Sequence, residues 1–161
     1  MRKIGQSFSF FIPTIIFAAL VVFMAGCERQ TDESKAIVRR YWEEVWNKGN
    51  LDAVEELYAP NCIQYGEFSI EKYKETVAST RTSFPDLRVT IDELIALEDK
   101  VVTRVTYSGT LLGALGGKPP TGKKMTLTGM DMFRIAGGKI VEHWHEADHL
   151  AMMKQIGLIT E

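Results

Sequence analysis

All three histidines of the chain fall within seven positions of one another, in the stretch Lys139–His149, K-I-V-E-H-W-H-E-A-D-H, beside Glu142, Glu146 and Asp148. Imidazole is the side chain whose ordinary pKa lies nearest neutrality. A carboxylate beside it can orient the ring or exchange protons with it. These residue types suit general acid/base chemistry, and any chemistry of the chain is expected here. An H-x-H pair on one strand face sets His143 and His145 about 6–7 Å apart at their roots, near enough to share an ion. A pair of core-edge histidines is the alternative, and no metal site is assigned. The chain has no G-x-G-x-x-G, P-loop or G-x-S-x-G pattern, so nucleotide binding and elbow-serine hydrolysis lack support.

These side chains need a scaffold. Ile140, Val141 and Trp144 favour a strand, and Gly137-Gly138 before them reads as a two-residue hairpin turn joining Met125–Ile135 to Lys139–Glu146. A C-terminal helix is expected over Asp148–Ile156. Upstream, Ile37, Val38, Tyr41, Trp42, Val45 and Trp46 follow the spacing of an amphipathic helix over Lys35–Lys48. Its aromatic face belongs to the core or, with Trp42 as the candidate, lines a pocket. Gly49 suits a left-handed helix end, and Asn50 suits the cap of a second helix, Leu51–Tyr58, stopped by Pro60. Cys62–Tyr65 reads as a short strand, and Ser69 as the cap of a helix running to Ser83. Period-two patterning then marks strands from Leu87 and over Val101–Thr110, with a bent, glycine-rich loop over Leu111–Gly122. Helices first and four antiparallel strands after them predict an α+β fold, a curved sheet wrapped around helices with a closed-end cavity.

Without a bulge, the hairpin places Asp131 opposite Trp144 and Leu127 opposite Asp148, with Phe133 on the same face; Met130 and Met132 then face His145 and His143. One bulge would invert half of this. Arg104, in a central strand, either pairs with a buried carboxylate or meets an anionic ligand.

The formal charge of −2 and the lack of a basic run interleaved with aromatics argue against a nucleic-acid partner. Residues 1–26 read as a secretory leader: Arg2 and Lys3, an apolar run from Phe8 to Met24, then small residues; a transmembrane anchor is the alternative, since the run has the ~17 residues needed to span. The ending M-A-G-C resembles a bacterial lipoprotein box. That resemblance implies lipidation of Cys27, a tether over 27–34, and a domain over 35–161 that is exported and lipid-anchored in the cell envelope. Cys62 is then left without a partner for a disulfide and is expected to be a buried, inert thiol.

Four blocks resemble the SnoaL-like polyketide or ester cyclases of the nuclear transport factor 2-like superfamily. They are V-R-R-Y-W-E-E-V-W-N-K-G-N-L-D-A-V-E-E-L-Y-A-P at 38–60, S-F-P-D-L-R-V-T-I-D-E-L-I-A at 83–96, P-P-T-G-K at 119–123 and G-M-D-M-F-R-I-A-G-G-K-I-V-E-H-W at 129–144. The resemblance implies a cone-shaped α+β barrel, with N-terminal helices packed in a strongly curved, mainly antiparallel sheet around an apolar pocket. It implies assembly as a homodimer or higher oligomer. It also implies aldol-type ring closure by one acid/base carboxylate, without metal or organic cofactor, on a small apolar or aromatic carbonyl or ester compound. Asp148 best matches the acidic residue of the family, with His145, Asp131 or Tyr65 assisting. Where relatives often carry histidines this chain has Tyr65 and Leu111, and where they commonly have aspartate after the tryptophan it has His145. The expected catalytic pair is Asp148 and His145; the expected pocket residues are Trp42, Tyr65, Arg104, Asp131 and Trp144. A non-catalytic, envelope-tethered binding domain is the alternative, and Asp148 as a helix cap is the structural reading that accompanies it.

Overall fold

The computed structural model describes residues 29–64 and 68–159, so the leader, Cys27 and Tyr65 lie outside the described residues. Apolar periodicity makes a helix where expected, but the helix starts earlier. Helix α1 covers residues 29–47, including the part of the expected tether from residue 29, and Ser34 is buried. Its last seven residues, Tyr41–Asn47, form a π-helix, with Lys48 N donating to Glu43 O at 3.0 Å. Residues five apart point about 140° apart on an α-helix; the wider π turn brings them nearer one face. Trp46 Nε1 can therefore donate to the Tyr41 hydroxyl at 2.7 Å.

Gly49 adopts φ +69°, as a left-handed helix end requires. Asn50 does not cap: it donates to Glu44 at 3.3 Å, and α2 (Asp52–Leu57) begins after Leu51 without a side-chain cap. Strand β1 (Tyr58–Ile63) starts where the second helix was expected to continue, and Pro60 sits within it. Because β1 is an edge strand, the missing N–H of Pro60 can face outward. Helix α3 (Ile70–Ser83) begins under Ser69, whose side chain accepts from Lys72 N, and ends before Phe84-Pro85.

Strands β2 (Arg88–Leu97), β3 (Lys100–Thr110), β4 (Lys124–Ala136) and β5 (Lys139–Ala147) follow, then helix α4 (His149–Gln155). The sheet order is β1-β5-β4-β3-β2, with β1 parallel to β5 and the other pairs antiparallel. This is the expected α+β plan. Alternation decides what the sheet buries. Val101, Val105, Phe133 and Ile140 face inward and pack with Val38, Tyr41, Trp42, Val45, Val54 and Leu57. On the outer face, Ile95, Val102, Met132 and Trp144 form one row by direct cross-strand pairing. Arg104 stands on that face too, bridging to Asp92 at 3.3 Å and Glu93 at 3.9 Å.

The β4–β5 register differs from the unbulged expectation. Arg134 pairs with Glu142, yet Ile135 pairs with Ile140, so Val141 is an extra residue on β5. Below the bulge, Asp131 faces His145 and Phe133 faces His143, while Met132 faces Trp144. The bulge lets Glu142 stay outward, where it accepts from Arg134 Nε at 2.7 Å, and turns both histidines inward.

The glycine-rich segment after β3 is a loop, as expected. Leu112 N and Gly113 N both donate to Ser83 O at 3.0 Å, and a Cβ on Gly113 would lie 2.2 Å from Thr82 O, so only glycine permits this approach. Thr121 Oγ1 donates to Ile156 O at 2.8 Å, tying the loop to the end of α4. Cys62 is buried and its thiol is pushed up to about 12 by burial, then by Glu142, which leaves it protonated and unreactive at neutral pH. No helix among the described residues is long and apolar enough to cross a membrane.

Candidate active site

A cavity of about 490 Å³ opens between the inner face of the sheet and helices α1, α3 and α4. Its size is that of a small-molecule site, within the usual range of about 300–1,000 Å³. Phe84, Leu87, Leu115, Met125, Leu127 and Met152 make one wall apolar; Tyr41, Trp46 and Tyr73 add aromatic faces; Asp131, His143, His145 and His149 supply the ionisable groups.

The centre of the polar wall is Asp131, 2% exposed. One carboxylate oxygen serves two imidazoles: Oδ1 accepts from His143 Nε2 at 2.9 Å and from His145 Nδ1 at 3.0 Å. The other, Oδ2, is buried and has no hydrogen-bond partner among the described residues. Two imidazole nitrogens converging on one oxygen suit a carboxylate, whose negative charge strengthens both hydrogen bonds. Behind this group, Tyr58 and His143 Nδ1 lie 2.7 Å apart, and Gln64 Nε2 is 3.2 Å from the same nitrogen. Phe133 stacks on the His143 ring, centroids 4.3 Å apart. The Tyr41 and Tyr73 hydroxyls are hydrogen-bonded to each other, and burial, the leading influence on both, keeps them protonated far into the alkaline range.

Electrostatics separate the three titratable groups. Burial pushes the Asp131 carboxyl up, but hydrogen bonds and charge from His143 and His145 outweigh it and hold the carboxyl below its usual range. Burial dominates at His143, so its pKa is lowered despite Asp131 and the ring is neutral near pH 7. At the half-buried His145, burial opposes protonation, but the Asp131 hydrogen bond and charge, then Glu146, raise the pKa above 6.5. At pH 6.5 the favoured state is therefore an ion pair, Asp131 negative and His145 positive, beside a mainly neutral His143.

These directions predict a stability optimum. His143, with its folded pKa lowered, loses stability as pH falls below 6.5, because the unfolded chain takes up the proton the buried ring refuses. Asp131, also lowered, withdraws its contribution at still lower pH. His145, raised, contributes fully below 6.5 and loses its contribution as pH rises through its folded value. Denaturant midpoints measured across pH should peak near 6.5, and His143→Gln should flatten the branch just below that pH.

The other expected site residues lie elsewhere. Asp148 caps α4, its Oδ1 accepting from Ala151 N at 2.9 Å; it is exposed and does not line the cavity. Trp42 is buried in the core behind the wall, in edge contact with Tyr107 and Phe133. Trp144 and Arg104 are on the outer face, turned there by the strand alternation. Asp131 and His145 are brought together. His143, Tyr58 and Gln64 complete the constellation, and nothing local in the sequence assigns them to it. A cross-strand Arg134–Glu142 pair, attainable only with one extra residue in β5, was the signal that could have found the histidines. Among the described residues, no group of three or more histidine, cysteine or carboxylate side chains is disposed to hold a metal ion.

Known proteins of this architecture share the arrangement of elements. AclR of Streptomyces galilaeus, described as a candidate hydroxylase, is 25% identical with a TM-score of 0.74, over 81% of this chain and 85% of its own. IdmH of Streptomyces antibioticus, described as a candidate polyketide cyclase, is 28% identical with a TM-score of 0.69, over 77% of this chain and 98% of its own. A candidate polyketide cyclase of Acidithiobacillus ferrooxidans is also 28% identical, TM-score 0.69, over 80% of this chain and 96% of its own. No curated protein matches significantly. The model of the SnoaL-like polyketide cyclases matches residues 36–156, three quarters of the chain and the whole of the sheet and cavity. The chain belongs to the SnoaL-like polyketide cyclase family.

Proposed function

We propose that the chain is an acid/base enzyme that enolises a small apolar or aromatic carbonyl or ester compound and closes a ring by intramolecular aldol addition. The carrying observation is the buried Asp131 carboxylate on the cavity wall, with Oδ1 saturated by two imidazoles and Oδ2 left without a partner among the described residues. In this reading Oδ2 takes the α-proton, and the C–H electron pair moves to form an enolate. His145, protonated and oriented through Nδ1, offers Nε2–H to the enolate oxygen. The enolate carbon then attacks a second carbonyl of the same molecule, forming the C–C bond, and the new alkoxide takes its proton from the site. Desolvation by the apolar wall strengthens each of these charge interactions. Asp131 replaces Asp148 as the proposed base, because Asp148 is occupied at a helix cap.

Deuterium incorporation at the α-carbon of a panel of aryl ketones and β-keto esters in D₂O tests this step without requiring the natural product. Exchange above the buffer rate supports enolisation. Saturable binding of the panel without exchange would contradict it and favour the alternative, a non-catalytic binding domain, which the largely apolar wall also suits.

We also propose that the domain works tethered to the cell envelope through a lipid on Cys27; the support is the leader followed by M-A-G-C. Cys27→Ser should move the chain from the membrane to the soluble fraction on cell fractionation, and an unchanged membrane fraction would sink the tether.

A further inference from the structure

Tyr58 is fully buried, stands behind the cavity wall and has no place in the proton transfers just described. Its hydroxyl is nevertheless 2.7 Å from His143 Nδ1. The donors and acceptors around His143 leave one solution. Nε2 is 2.9 Å from Asp131 Oδ1, which is ionised and can only accept, so the ring proton is on Nε2. Nδ1 then carries the lone pair, and the Gln64 amide nitrogen at 3.2 Å, which can only donate, agrees with that. Tyr58 must therefore donate to Nδ1. The other faces of His143 meet the rings of Phe133, Tyr41 and Tyr73, and its charged neighbours are Asp131 and His145.

We propose that Tyr58, assisted by Gln64, is a positioning residue: it locks His143 in the Nε2–H tautomer, so that Oδ1 of Asp131 stays saturated and Oδ2 is the oxygen left for the substrate. This role rests on the acid/base reading of Asp131, whereas the tautomer itself does not. A tautomeric swap in wild type would set the Nε2 lone pair against the carboxylate and the Nδ1 proton against the Gln64 amide. Removing the Tyr58 hydroxyl empties the main donor at Nδ1, and that nitrogen then takes a proton more readily. The consequence is a cationic His143, which pulls charge from Asp131 and weakens it as a base.

Two-bond nitrogen–proton correlation spectra of the ¹⁵N-labelled full chain read the tautomer directly. The wild type should show His143 protonated on Nε2 alone through the neutral range. In Tyr58→Phe the His143 midpoint should rise by about one pH unit, the equivalent of one ordinary hydrogen bond. Gln64→Leu should shift it in the same direction by less. α-Deuteration by Tyr58→Phe should fall by up to about tenfold on the acid side of the His143 midpoint with KM unchanged, and recover at higher pH as His143 is neutralised. A wild-type His143 carrying its proton on Nδ1 overturns the proposal even if the variant fails to fold. So does a Tyr58→Phe chain whose His143 midpoint is unmoved. Wild type with the expected tautomer but no exchange on any compound would uphold the lock and reject the acid/base reading.

Discussion

Asp131→Asn should lower the rate of α-proton exchange by about 10²–10⁴-fold, the usual contribution of a positioned general base. The change is nearly isosteric. The introduced amide can still accept from His143 Nε2 and His145 Nδ1 through its carbonyl oxygen, so the histidines keep a partner at the observed 2.9 and 3.0 Å positions. What is lost is the negative charge and the basic lone pair of Oδ2, replaced by an NH₂ group that cannot take a proton. Binding of the same compounds, measured by quenching of Trp46 on the cavity wall, should change far less than turnover, since the apolar lining is untouched. Asp148→Asn is the matching control: an asparagine caps a helix nearly as well as aspartate, so both stability and exchange should be retained. Full exchange in Asp131→Asn, or its loss in Asp148→Asn, would return the catalytic role to the helix cap.

Phe133→Ala should cost about 3–5 kcal/mol of stability, the range for deleting a buried phenylalanine ring. Phe133 has no exposed surface. It stacks on His143 at 4.3 Å and meets Tyr41 and Trp42 edge-on at 5.2 and 6.2 Å, so its removal leaves a cavity walled by rigid rings that cannot collapse into it. The residue thus joins the core to the site: it is part of the hydrophobic cluster and also the surface that holds the His143 ring. Urea unfolding measures the loss, with Met130→Ala on the exposed outer face as a reference expected to change stability by no more than about 0.5 kcal/mol. A loss below about 1 kcal/mol for Phe133→Ala would mean that the aromatic cluster does not carry the core.

Much of the scaffold was legible in the chain because it is written in local patterns. Ile37 to Trp46 repeat at helical spacing, Ser69 caps, Gly137-Gly138 turns, and Val101–Thr110 alternates; each of these elements is present at or near its expected place. The α2–β1 boundary was not, because Tyr58-Ala59-Pro60 is compatible with a helix end until the parallel pairing of Tyr58 with Ile140 claims it as a strand. The site was half legible. Asp131 and His145 stand out by residue type, but period-two patterning needs an unbroken register, and Val141 breaks it. That single extra residue sends Trp144 outward and His143 inward, and no local preference of Val-Glu-His-Trp announces it. Tyr58 and Gln64 were invisible for a different reason. They reach His143 across 85 and 79 residues of sequence, a proximity created only by the pairing of the edge strand with β5.

One electrostatic state underlies the proposed mechanism, a protonated His145 against an ionised Asp131 inside an apolar cavity. The direct measurement is a pH titration of the His145 ring nitrogens in the ¹⁵N-labelled wild-type chain. The expected result is a ring with both nitrogens protonated at pH 6.5 and beyond, titrating above the ordinary histidine value, and falling back toward that value in Asp131→Asn. A His145 that is already neutral at pH 6.5, or that titrates identically in the two proteins, would contradict the ion pair and with it the acid/base mechanism built on it.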